Sequence, residues 1–597
     1  MMYWEGFRFD TAVVNYSLFL PVLLSVILYY TKSFNKRFIN FLVLFFTFAF
    51  FVYLLGGLTD IGYYDYYNSR LNTGVFSWMG TPLLMLKVVF LDINYWTFII
   101  LGLLFTWLCY QFLKKLSSRL LVGDYEPNVH IKLAFQFVII VVLLMLGVRG
   151  SFDNEKRPLD PRESIFSKYT TINNLSINGL FNLVHSFNNR KIEFFEEEAA
   201  FTAVQQYFDF TPTYADYPLS RIQSAESTEK KKNVVLVIME SMSAYQMGLY
   251  GNPKNLTPYL DSLAKQSICF PNIYTSGVHT HNGLYSTIYG QPAILDRIAI
   301  REGVLVNQQY YGLPHVLKEK GYRTHFLITG EGEYDNMHSF FPQNGFDKFI
   351  CQDFFEKEDI INQWGVPDHI LFNKTISFMD SSYKDNEPFL MTYMTISTHS
   401  PYGIPTKGVT RKLHSEDRAD QSYEYADWSI EQFMKQAATK PWYNETVFVF
   451  VADHGQKFDV VYEMPLSYHH CPLIIFDPET KPIKWDEKIG QQIDVFPTLL
   501  GYLNISFENN TLGTNLFTHT RPYAYFTADN KIGVIDKEHF YIEKLDGSKG
   551  LYDYNTKSLD DLSASNPEKI KQMENYAHSM LQCSHSLIEK HLVGKPH

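Results

Sequence analysis

Apolar residues are spread unevenly along this chain. Over the first 150 positions they come in long runs rich in aromatics, and afterwards in short blocks between polar stretches. Val14 to Tyr30, Phe38 to Leu55, Tyr95 to Leu113 and Ile131 to Val148 are each about long enough to cross a hydrocarbon core as a helix. A fifth segment, Val75 to Leu91, contains Pro82 and Lys87 and reads as a tilted span, a re-entrant piece or an interfacial helix. The pattern predicts a transmembrane anchor of four or five helices over residues 1–150. Because the apolar segments recur, and no small-residue cleavage site follows the first, they do not read as a cleaved signal peptide.

Basic residues orient this anchor. Lys114, Lys115, Arg119 and Lys132 lie between two spans and place that loop in the cytoplasm, so the next span carries everything after Arg149 outward. Lys32, Lys36 and Arg37 also prefer the inside, which suits four spans; five would put them outside, with the same outward placement of the C-terminal part. The expectation is a multi-pass protein of the plasma (inner) membrane whose larger domain is extracytoplasmic. A channel or transporter is disfavoured, since the spans lack ionisable residues apart from Lys87.

From Ser151 to about Lys230 the pattern is irregular. Within it "NNRKIEFFEEEAAFTAVQQYF" reads as a helix with charged and aromatic faces, so residues 151–230 are expected to form a membrane-proximal helical connector. "STEKKK", Ser227 to Lys232, reads as a solvated hinge. Beyond it strands are predicted at Val234–Met239, Thr324–Thr329, Phe389–Ile396 and Thr446–Val451, and helices at Leu256–Lys265, Tyr423–Thr439 and Ile493–Leu503. Continuous apolar strands between amphipathic helices indicate a mostly parallel sheet covered on both faces, here over residues 231–520. Residues 521–597 read as a small subdomain, with short antiparallel strands in "YAYFTADNKIGVIDKEHFYIEK" and a helix from Pro567 to about His591.

The net charge of −11 argues against nucleic-acid binding, and five cysteines without CxxC pairing supply neither a metal cage nor a disulfide framework. The candidate chemistry lies where strands stop. In "VVLVIMESMS" an apolar strand ends on Glu240, and in "VFVFVADHG" another ends on Asp453, His454 and a glycine. Ligands of open parallel sheets bind beyond the carboxyl ends of the strands. Two carboxylates brought together there repel unless one holds a proton or a divalent cation sits between them. The mixed oxygen and nitrogen set suits Mn²⁺, Zn²⁺ or Mg²⁺. "SGVHTHNGLYSTIYG" places Thr280 at the start of a helical run, where the dipole and a bound dication both favour its alkoxide. "YMTISTHSPY" places His399 after a further strand, positioned to bind a phosphate oxygen or protonate a leaving alkoxide.

These motifs, together with "LTPYLDSLA" and "QQIDVFPTLLGYLNI", resemble in order the lipoteichoic acid synthase and phosphoglycerol transferase family of the alkaline phosphatase and sulfatase superfamily. The resemblance runs from about Asn233 to Leu503 and implies an α/β sulfatase-like (alkaline phosphatase-like) catalytic core. It implies a site for one divalent metal ion, Mn²⁺ first and Zn²⁺ or Mg²⁺ as alternatives, formed by Glu240, Thr280, Asp453 and His454. It further implies that Thr280 is the nucleophile and that His399 contacts the head group. By resemblance the partners are a phospholipid donor, phosphatidylglycerol first, and a glycolipid or glycan acceptor. Where lipoteichoic acid synthases carry a Trp–Asn–Arg segment, this chain has "EYDNMHSFFPQNGFDKF" with no arginine, so Asp335, Asn336 and His338 stand there. In "SYHHCPLIIF" His469 and His470 are further candidates for the site, His470 toward substrate, while Asp494 is assigned a helix-capping role. A phosphoethanolamine transferase and a sulfatase-like phosphodiesterase or hydrolase are the alternatives. A true sulfatase is disfavoured, because "HTHNG" lacks the Cys/Ser-x-Pro-x-Arg context that its nucleophile needs.

Overall fold

The computed structural model describes residues 2–67, 70–73, 75–76, 93–119, 130–151, 159, 161–164, 170–187, 195–295, 300, 308–405, 407–484, 488–528, 531–544 and 547–596. The chain forms two compact units, Met1–Arg190 and Lys191–His597. The division falls inside the stretch read as a connector.

In the first unit α1 (Met2–Tyr30) packs on α4 (His130–Arg149), and α2 (Lys36–Tyr67) on α3 (Ile93–Ser117). Among the described residues three helices are long and apolar enough to cross a membrane, within Met2–Tyr30, Lys36–Asp65 and Trp96–Ser117; the apolar helix Ala134–Arg149 is shorter. The candidate span beginning at Val75 lies, beyond Phe76, outside the described residues. These helices turn apolar side chains outward: Leu103 is 59% and Phe112 66% exposed. A protein surrounded by water does not expose such contiguous surface, whereas hydrocarbon is a solvent for it. Polar groups turn inward instead, as in the buried ion pairs of Arg8 with Glu5 (2.5 Å) and Arg70 with Asp60 (2.6 Å).

The second unit is built on a nine-stranded sheet. Its strands are β1 (Asn233–Met239), β2 (Ile268–Tyr274), β3 (Arg323–Ile328), β4 (Lys348–Ile350), β5 (Phe389–Met394), β6 (Thr446–Ala452), β7 (His470–Phe476), β8 (Ile483–Lys484) and β9 (Ile489–Gln491). Their order is β9-β2-β7-β6-β1-β5-β3-β4, with β8 also paired to β2. All pairings are parallel except those of β7 with β6 and β2. Every residue of β1, β5 and β6 is buried, which is why these strands read as unbroken apolar runs.

Helix limits follow local caps. α5 spans Glu197–Tyr207, the later part of the connector helix read from the sequence, and its Ala200, Phe201 and Val204 enter the core of the second unit. α6 (Pro258–Ala264) starts two residues later than the apolar pattern indicates, because a proline with fixed φ and no N–H suits the first turn. α7 spans Thr280–Tyr289 and α8 Asp368–Lys384. α9 (Arg418–Ala437) starts five residues before Tyr423, since the Asp417 carboxylate accepts the Asp420 N–H as N-cap. α10 is Val495–Tyr502.

The strands Ala524–Ala528, Lys531–Ile535, His539–Lys544 and Lys549–Asp553 form a four-stranded antiparallel meander. Then α11 (Pro567–Glu589) packs on the meander and on α5. The α5–α11 contact joins Tyr207 to Tyr576 (ring centroids 5.0 Å apart) and Glu197 to Ser586 (3.1 Å) and Lys590.

Candidate active site

Register brings the two strand-terminal acids together. β1 and β6 are hydrogen-bonded neighbours with Met239 opposite Ala452, so Glu240 and Asp453 leave adjacent strands at one level. The Asp453 N–H donates to the Met239 carbonyl (3.2 Å), and the Ser241 N–H to Asp453 Oδ1 (2.8 Å). Glu240, Asp453 and His454 are 1%, 0% and 2% exposed, and one ligand atom of each lies within 4.8 Å of the others. Thr280, the first residue of α7, directs its hydroxyl to Glu240 Oε2 at 3.4 Å. Glycine makes this approach possible. A Cβ on Gly283, one turn into α7, would stand 2.4 Å from the Asp453 carbonyl oxygen, so the helix lies directly on the backbone that carries the acid.

The donor set fits a cation. His454 Nδ1 donates to the Gly455 carbonyl (2.7 Å), which leaves Nε2 as the ring atom turned to the acids. This Nε2 faces Asp453 Oδ2 at 3.4 Å and Glu240 Oε1 at 4.0 Å. Asp453 Oδ2 is buried and accepts no hydrogen bond. Glu240 Oε1 accepts the Ser241 hydroxyl (2.6 Å), and two carboxylates and an imidazole nitrogen turned on one another are the arrangement a divalent ion resolves. Without one, burial and then the charge of Asp453 push the Glu240 carboxyl well above its ordinary range. Among the described residues Glu543, Glu574 and His578 also cluster, but Lys549 pairs with Glu574 and Tyr541 donates to Glu543, so that group is internally neutralised.

His399 follows β5 on a loop tied to both acids' strands. The Thr398 hydroxyl donates to the Glu240 carbonyl, and Gln456 Nε2 to the Thr398 carbonyl (2.7 Å). His399 Nδ1 donates to the Ser400 carbonyl (2.7 Å), and burial, with the nearby His454, lowers the imidazole to about 4. Trp364 packs its ring 4.2 Å from His399 and donates Nε1–H to the same carbonyl (3.0 Å), with Tyr334 edge-on behind it.

The 333–348 segment divides. Asp335 is buried with its Oδ2 3.6 Å from Nδ1 of His281, the neighbour of Thr280. Asp335 and Asn336 both hold left-handed backbone (φ 49° and 58°), which Asp and Asn tolerate better than other side chains. Asn336 Nδ2 donates to the Ile300 carbonyl (3.3 Å), and the exposed His338 faces Glu333. His470 is held elsewhere, with Nε2 2.7 Å from the Pro271 carbonyl and its ring between Tyr250 and Tyr274. His469 is fully buried on Phe526. Asp494 closes a capping box with Gln491 and pairs with Arg521 at 2.5 Å.

Sequence reasoning missed Gly283, Thr398, Gln456, Tyr334 and Trp364. Trp364–Gly365 carried a usable signal, an aromatic beside a glycine in a polar loop. Gly365 (φ 101°) runs so close to the Thr329 carbonyl that a Cβ would sit 1.8 Å from it, which pins Trp364.

Residues 232–505 match the Sulfatase family model. With the sheet and strand-end site above, the second unit has a sulfatase-type fold over the region that matches this model. Among curated proteins the chain is 22% identical to the lipoteichoic acid synthase-like YvgJ of Bacillus subtilis, covering 65% of this chain and 66% of that protein. It is 24% identical to the lipoteichoic acid synthase of Staphylococcus aureus, covering 52% of this chain and 51% of that protein. The alignments thus span between half and just under two thirds of these relatives. Two crystal structures share the fold. One is a protein in the alkaline phosphatase superfamily from Vibrio parahaemolyticus (TM-score 0.61, 23% identity, 67% of this chain and 98% of that one). The other is the lipoteichoic acid synthase LtaP from Listeria monocytogenes (TM-score 0.51, 20% identity, 65% and 98%).

Proposed function

We propose that this chain is a membrane-anchored, metal-dependent transferase that moves phosphoglycerol from a phospholipid, phosphatidylglycerol first, to a glycolipid or glycan acceptor through a covalent Thr280 intermediate. The observation that carries this reading is the Thr280 hydroxyl at the start of α7, 3.4 Å from a buried carboxylate that faces a second acid and the Nε2 of an imidazole.

Glu240, Asp453 and His454 would hold the ion, with Thr280 beside them. A divalent ion there supplies Lewis-acid charge at the phosphoryl oxygens and favours the ionised threonine oxygen; Mn²⁺ is the first choice, Zn²⁺ and Mg²⁺ the others. In the first half-reaction Thr280 Oγ1, its proton released to solvent on ionisation, bonds to phosphorus as the bond to the diacylglycerol oxygen breaks. That oxygen takes a proton from Nε2 of His399 in its doubly protonated form. In the second half His399 takes the proton of the acceptor hydroxyl as that oxygen attacks phosphorus and Thr280 leaves. The free imidazole is neutral, and an anionic diester entering beside it raises its proton affinity. Trp364 fixes the ring through the shared Ser400 carbonyl. The long apolar helices of the first unit suit a donor that stays in the bilayer, with the second unit on the extracytoplasmic side.

A phosphoethanolamine head group is the second reading. The segment beside the site supplies Glu331, Glu333 and Asp335 and no arginine, a charge set suited to an ammonium. Mass spectrometry after incubation with either phospholipid decides: glycerol phosphate on Thr280 supports the first reading, ethanolamine phosphate the second, and no adduct from either removes both.

A further inference from the structure

Ser241, the residue after Glu240, breaks a local rule. Its backbone is left-handed (φ 50°), a conformation that glycine, asparagine and aspartate adopt more readily than serine. It is also buried, so no solvated turn accounts for it. Neighbours hold it in place: the Tyr423 hydroxyl and the Ser243 N–H both donate to its carbonyl, at 2.8 and 2.9 Å. Backbone strain fixed in this way at the edge of a site points to a use for the strained residue.

The use is contact with both acids at once. The Ser241 N–H donates to Asp453 Oδ1 (2.8 Å), and the Ser241 hydroxyl donates to Glu240 Oε1 (2.6 Å). Asp453 Oδ1 also accepts the His454 N–H (2.6 Å), which leaves Oδ2 as the oxygen without a donor. Glu240 Oε1 is the oxygen that faces His454 Nε2 at 4.0 Å. The main chain of Glu240 is fixed separately, just beyond β5. Its N–H donates to Thr395 Oγ1 (3.0 Å), and its carbonyl accepts the Thr398 hydroxyl. Orientation of its carboxylate is left to the short bond from Ser241 and the longer one from Thr280 (3.4 Å). A glycine at 241 would keep the N–H bond to Asp453 and remove the strain, so the hydroxyl is what serine adds.

We propose that Ser241 is a positioning residue that ties the Glu240 and Asp453 carboxylates to each other and sets them for a divalent cation. It rests on the cation reading of this site. A hydroxyl bonded to a ligating carboxylate orients it before the ion arrives, so less rotamer freedom is lost on binding.

The test is calorimetric titration of Mn²⁺ into the ion-stripped full chain in detergent, with melting temperatures of the same samples. Ser241→Ala and Ser241→Gly both lose the hydroxyl and should bind Mn²⁺ about tenfold to a hundredfold more weakly than the parent. Ser241→Gly is free of the strain and should melt above Ser241→Ala, yet recover none of the affinity. Ser241→Thr keeps the hydroxyl on a β-branched side chain that suits left-handed backbone poorly. It should melt below the parent and still bind Mn²⁺ more tightly than the other two variants. Affinity that follows melting temperature across the three variants overturns the inference. So do Ser241→Ala and Ser241→Gly chains that bind as the parent does, and that result leaves the cation reading standing. A parent that binds no Mn²⁺ removes the cation reading and this inference with it.

Discussion

At the scale of single residues the site is a problem of like charges. Stripping divalent ions leaves Glu240 and Asp453 facing each other in a buried space, and returning Mn²⁺ at about 100 times its Kd should stabilise the second unit by about 2.7 kcal/mol. Glu240→Gln removes the repulsion. Stripped of ions, this variant should melt above the stripped parent and gain little from Mn²⁺, both read by thermal melts of the whole chain in detergent. A parent that ignores Mn²⁺ contradicts the cation reading. Thr280→Ala should abolish the phosphoryl adduct and lower turnover on the order of a thousandfold or more, while Thr280→Ser, which keeps an oxygen, retains the adduct. Trp364→Phe keeps a ring against His399 but loses the bond to Ser400. A fall in kcat/KM of about threefold to tenfold, with the melting temperature unchanged, is expected.

Between elements, contact distances decide. Gly283→Ala forces a Cβ into the Asp453 backbone, and because that atom is main chain, α7 or β6 must move. Overpacking of this kind costs about 1–3 kcal/mol. The expected result is weaker Mn²⁺ binding together with a lower melting temperature, whereas Gly251→Ala, in open space but on left-handed backbone (φ 93°), lowers the melting temperature and leaves metal binding alone. Much of this architecture was legible in the sequence. β1, β5 and β6 are buried throughout, so their apolar runs announced them, and the residues at which they stop announced Glu240, Asp453 and His454. The start of α9 was missed because Asp417 sets it from outside the apolar pattern, and Gly283 was missed because its role lies in a contact with a strand 170 positions away. Strand order and register are not written in any one segment. Nor is the fate of His470, which reads as a site candidate until Pro271, Tyr250 and Tyr274 are seen around it.

For the whole molecule, acid is the relevant stress. His315 and His325 each keep a buried Nδ1 without a hydrogen-bond partner, and burial lowers both from 6.5 to about 4. Their folded values lie below the unfolded one, so between pH 6.5 and 4 the unfolded chain binds more protons. Stability from these groups is complete above about pH 6.5 and falls as pH drops toward 4. Chemical denaturation of the second unit at pH 7.5 and 5 should show the loss, and His325→Phe should flatten the dependence; an unchanged slope would count against burial as its cause. The clasp between α5 and α11 acts on assembly in time. Glu197 meets Lys590 across 393 positions, so Ala200, Phe201 and Val204 stay uncovered while nearly all of the second unit is still being synthesised. Contacts of such span form late. A ribosome stalled before α11 would leave that uncovered face of α5 open to proteases.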